Sequence, residues 1–110
     1  MDPHPIPEAR LLQAISDPVR LRIIRQLAQF GAVCACDIAA SYKVSQPTVS
    51  HHLRVLREAG WISGERRGTW IWYSVRPEAV ARMRQISETL EPFGGPTPRL
   101  PRLRVLQPDA

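Results

Sequence analysis

A chain of 110 residues holds one domain, and a core that small gains from burial against a second copy. Fifteen Lys and Arg stand against ten Asp and Glu, a formal charge of +5, and fourteen of the fifteen cations are Arg. The N-terminus is polar and Pro-rich, and the longest apolar-leaning stretch, 31–36, is far too short to span a bilayer; these argue against a secreted or membrane protein and lead us to expect a cytoplasmic one.

In such a compartment Cys34 and Cys36 are expected as reduced thiols, free to bind metal or react. Arg carries a planar fork of donors that suits phosphates and guanine edges. The same excess also arises from a solvated basic surface or a GC-biased source, so charge alone does not decide for a nucleic-acid binder.

Residues 1–7 carry three prolines and read as a loose arm. Pro7 suits the first turn of a helix striped by Leu11, Leu12 and Ile15. Asp17-Pro18 predicts a second start, with Asp as N-cap and Pro at N1; Val19, Ile23, Ile24 and Leu27 follow at helical spacing, and Gly31 stops the helix. Asp37 is read as the cap of a short third helix. Ser45 caps a fourth, with Pro47 in its first turn and Gly60 at its end. The period then changes. Trp61-Ile62-Ser63 and 69–75 read as strands, and 64–68 as a hairpin tip carrying Arg66 and Arg67. Pro77 opens a last helix whose Ala79, Met83, Ile86 and Leu90 form a narrow apolar stripe. Residues 92–110, with five prolines, read as a disordered basic tail.

The expected fold is mainly α, in the order α-α-α-α-β-β-α. It is a winged helix-turn-helix over residues 8–91 that dimerises through its first and last helices. On the fourth helix Val49, Leu53 and Leu56 share the core side. Gln46, Thr48, Ser50, His51 and Arg54 face outward near the N-terminal end, short hydrogen-bonding groups with one long cation, as a helix entering the major groove of double-stranded DNA needs. Gln46 suits adenine; Arg54 suits guanine or a phosphate. Arg66 and Arg67 on the hairpin would lie along the neighbouring backbone or minor groove. His52 flanks the Leu53 stripe and reads as half-buried and hydrogen-bonded. No nucleophile–base pair, Gly-rich phosphate loop or paired carboxylates appears, so no enzyme is expected.

Three segments resemble the ArsR/SmtB family of metal- and metalloid-responsive repressors: Asp17 to Ile24, Val44 to Gly60, and Gly68-Thr69-Trp70-Ile71-Trp72-Tyr73. The resemblance covers about residues 8–91. It implies a homodimeric repressor that binds a palindromic operator, needs no cofactor to do so, and is released by an inducer.

Cys34-Ala35-Cys36-Asp37 is similar to the Cys-x-Cys-Asp motif of the arsenic-responsive branch, which implies a Cys34/Cys36 thiolate site for a soft ion such as arsenite or antimonite. The sequence departs from that branch in having Ala39 where a third cysteine would stand. The arm offers only His4, and the last helix has Glu78, Glu88 and Glu91 but no histidine for a zinc site. Other readings stay open: a metal-free regulator gated by a redox-sensitive disulfide of the pair or by a partner protein, or two cysteines that are only buried small apolar residues.

Overall fold

The computed structural model describes residues 7–92 and 94. The arm (apart from Pro7) and the tail (apart from Pro92 and Gly94) lie outside the described residues. The elements are α1 (Glu8–Ala14), α2 (Pro18–Phe30), β1 (Val33–Cys34), α3 (Ala35–Ser41), α4 (Gln46–Glu58), β2 (Ile62–Arg67), β3 (Trp70–Val75) and α5 (Pro77–Thr89).

Local chemistry sets most of the helix ends. The Asp17 carboxylate accepts from the amides of Val19 and Arg20 at 2.9 and 3.0 Å, with Pro18 behind it at the first helical position. Gly31 closes α2 at φ 88°, its amide donating to the Leu27 carbonyl at 2.8 Å. The third helix starts earlier than expected. Cys34 is its N-cap, the sulfur accepting from the Cys36 amide at 3.2 Å, and Asp37 lies inside the first turn rather than capping it. A carboxylate there still favours the positive end of the helix.

The sheet has three antiparallel strands in the order β1-β3-β2, one more than expected. The extra strand, β1, pairs Val33 with Tyr73 and Cys34 with Trp72. Two residues are too few to show a period of two. The hairpin tip also moves: β2 runs on to Arg67, Arg67 faces Trp70, and only Gly68 and Thr69 form the turn, with Gly68 at φ 66°. Gly64 therefore sits within a strand. A Cβ there would meet Ile71 Cγ2 and Tyr73 Cε1 at 3.0 Å, so this glycine admits the Tyr73 ring across the hairpin.

The core lies where the helices meet the sheet, with Leu11, Ile23, Leu27, Ile38, Val49, Leu56 and Ile62 fully buried. On α5, Ala79 and Ile86 are buried within the protomer and Met83 is half-buried, while Leu90 is 74% exposed; Leu12 on α1 is 40% exposed. A Glu8–Arg82 ion pair at 3.4 Å ties α1 to α5.

Candidate nucleic-acid interface

Ser45 starts α4. Its hydroxyl accepts from the Thr48 amide at 3.3 Å and shares a 2.8 Å hydrogen bond with the Thr48 hydroxyl. Thr48 is therefore partly occupied in capping. Val49, Leu53 and Leu56 are buried, which turns Gln46, Thr48, Ser50, His51 and Arg54 to solvent together. Among the described residues, Gln46, Ser50, His51 and Arg54 make no side-chain hydrogen bond or ion pair. The face is a row of free donors and acceptors on a helix fixed from behind.

His52 adds a polar tie behind it, through a residue the sequence does not single out. Arg20 donates from Nε to the Ala14 carbonyl at 2.6 Å and from its guanidinium to His52 Nδ1 at 3.2 Å. Arginine can only donate, so Nδ1 accepts and His52 is neutral with its proton on Nε2. One side chain thus joins the end of α1 and the start of α2 to the recognition helix.

Burial lowers the His52 pKa from its ordinary 6.5; the Asp17 carboxylate opposes that shift, and the Arg20 and His51 charges add to it. A histidine held neutral in the fold contributes stability that is present above about pH 6.5 and lost as pH falls through its lowered folded value. We expect the melting temperature to drop between pH 7 and pH 5. His52→Asn keeps an acceptor near Nδ1 but does not titrate, and should show a shallower drop; equal drops in both proteins would assign the loss elsewhere. Asp17 adds a separate, more acidic component. Its pKa is lowered mainly by the hydrogen bond from the Arg20 amide, so its contribution is lost only below the ordinary carboxylate value of 3.8.

The two wing arginines are not equivalent. Adjacent strand residues point to opposite faces. Arg67 folds back, pairing with Glu65 at 3.0 Å and covering the Trp72 ring at 5.0 Å. Arg66 pairs across the hairpin with Ile71, and among the described residues it has no ion-pair partner. The expectation that both project from a hairpin tip is corrected: both lie in β2, and one is already engaged within the wing.

The cysteines also differ from expectation. Cys34 and Cys36 are joined by a disulfide rather than being free thiols. Bonded sulfurs are not thiolate ligands, so the metal site expected at Cys34 and Cys36 is absent in this form. Among the described residues, no group of three or more His, Cys, Asp or Glu could hold a metal ion. The residues present therefore do not fit a three-sulfur site.

A buried helix-turn-helix scaffold, a solvent-facing polar recognition helix and an arginine-bearing hairpin together define a winged-helix DNA-binding regulator of transcription. Residues 17–63 match the pattern of the arsR family of bacterial regulatory proteins. An HTH-type transcriptional regulator of Methanocaldococcus jannaschii is 37% identical over 82 residues, 74% of this chain and 92% of that relative. The chain belongs to the ArsR family. The arsenical resistance operon repressor of Bacillus subtilis is 38% identical over 68 residues, 62% of this chain and 65% of the repressor, a little under two thirds of its length. Among solved structures, the homodimeric winged helix-turn-helix DNA-binding domain of a possible ArsR-family regulator from Mycobacterium bovis matches with a TM-score of 0.62 at 30% identity, covering 76% of each chain. No helix among the described residues is long and apolar enough to cross a membrane.

Proposed function

We propose that this protein is a cytoplasmic repressor that binds a palindromic operator as a homodimer and releases it when the Cys34–Cys36 pair changes state. The polar face of α4 carries the DNA reading. Gln46, Thr48, Ser50, His51 and Arg54 contact the operator, with Arg66 as the principal wing contact and Arg67 held back by Glu65. The M. bovis relative's homodimeric state and the exposed Leu12 and Leu90 support a two-fold interface through α1 and α5.

The bonded sulfurs favour thiol–disulfide exchange as the signal. Two small thiols reduce the bond, yielding two cysteine thiols and one external disulfide. The change reaches DNA by a short route, because Cys34 is both the N-cap of α3 and the β-bridge partner of Trp72 in the wing. A second reading is supported by the Cys-x-Cys-Asp motif and by the name of the Bacillus relative: the reduced pair takes a soft metalloid such as arsenite as its inducer.

A Cys34→Ser/Cys36→Ser double variant separates the readings. We expect it to bind operator DNA and to ignore both signals. In the wild type, release by arsenite only in the presence of a reductant supports the metalloid reading, and a change on oxidation without arsenite supports exchange. If the double variant still responds, the sensing site lies elsewhere.

A further inference from the structure

Beside the recognition helix, a cleft of about 350 Å³ opens between α4, the first turn of α3 and the wing. Its polar lining is Ser50, Arg54 and Arg57 from the helix and Thr69 and Trp70 from the wing, and no carboxylate lines it. We propose that this cleft seats one backbone phosphate of bound DNA, with Arg57 and Trp70 as contacts beyond the recognition face. The proposal rests on the DNA-binding reading above.

The spacing carries the first part of the argument. Ser50, Arg54 and Arg57 stand at i, i+4 and i+7, so they form one stripe along α4 that begins on the recognition face and ends beside the wing. Arg54 and Arg57 place two positive charges about one turn apart on that stripe, Arg57 in the last turn of the helix. Among the described residues neither has an ion-pair partner. Two guanidinium groups and two hydroxyls with no opposing carboxylate select an anion with several acceptor oxygens.

Geometry chooses the source of that anion. Base edges lie recessed in the groove, where the N-terminal part of α4 would reach them. A cleft bounded by a helix on one side and a wing on the other receives what stands between the grooves, the sugar-phosphate strand. Trp70 fits that occupant. It is 50% exposed, a large aromatic surface left in solvent at the wing's turn, and against DNA its ring would cover a deoxyribose while Arg57 holds the phosphate.

The test uses a mixed-sequence DNA duplex and the full chain, with affinity measured across a range of salt. Arg57→Ala should make the slope of log affinity against log salt shallower by about 0.9 per protomer, since each neutralised phosphate contributes about that much. Arg57→Lys should restore the slope, because a phosphate needs the charge more than the fork. Trp70→Ala should weaken binding on every sequence with the slope unchanged, and Trp70→Phe should recover most of the loss. Arg57 and Trp70 are both exposed, so thermal melts should show these variants folded. An unchanged slope in Arg57→Ala overturns the proposal, as does a loss confined to particular sequences, which would make Arg57 a base reader. A small aromatic carboxylate such as benzoate that bound the free protein in an Arg57-dependent way without weakening DNA binding would also overturn it. A flat slope in the wild type would instead sink the DNA-binding reading itself.

Discussion

Arg54→Ala is expected to bind its operator about ten- to a hundred-fold more weakly and to lose part of its preference for one base over the others. A bidentate arginine contact to a base edge is worth about 1–3 kcal/mol, and truncation removes both hydrogen bonds and a charge. The residue is exposed, and the helix beneath it is held by Val49, Leu53 and Leu56, so the fold should be unaffected. The informative measurement is competition between the operator and single-base variants of it. A flattened preference marks Arg54 as a base reader. A loss that is equal on all sequences, with a shallower salt slope, would mark it as a phosphate contact like the one assigned to Arg57. Arg66→Ala should weaken all sequences alike, and Arg67→Ala should do less, because Glu65 and Trp72 already occupy Arg67.

Trp61→Ala is expected to cost about 3–5 kcal/mol of stability, a large part of what a domain of this size has. Trp61 is 4% exposed in the core, and its indole N–H donates to the Leu11 carbonyl at 2.8 Å. That carbonyl is an orphan of the α1 terminus, since the amide four residues on, Ile15, donates to Leu12 instead. The indole thus satisfies a helix end that water does not reach. Trp61→Phe separates volume from hydrogen bond. It keeps most of the packing but leaves the Leu11 carbonyl unpaired, so a loss of about 1–3 kcal/mol is expected. Thermal melts resolve this readily, because each kcal/mol moves the midpoint by roughly 4–8 °C in a domain of this size. If Trp61→Phe melts with the wild type, the tie between α1 and the core is one of packing alone.

Much of the fold could be read from the residues because its punctuation is local. Asp17-Pro18, Gly31 and the Ser45 cap act within four residues of themselves, and each marks the boundary expected of it. The polar face of α4 could likewise be read from periodicity, since Val49, Leu53 and Leu56 leave the outward residues no other direction. Gly64 misled for a physical reason. A glycine among charged residues resembles a turn, but this one clears space for Tyr73 on the opposite strand, and the true turn falls four residues later at Gly68.

By itself, then, the sequence determined the helices, the recognition face and the order of elements, because caps, turns and apolar spacing act between near neighbours. Only the tertiary structure decided how those parts are joined. It brought Arg20 to His52 across thirty-two residues, withdrew Arg67 onto Glu65 and Trp72, and put Cys34 on the edge of the wing sheet. Those contacts depend on which surfaces meet when the core closes, and no run of adjacent residues carries that information.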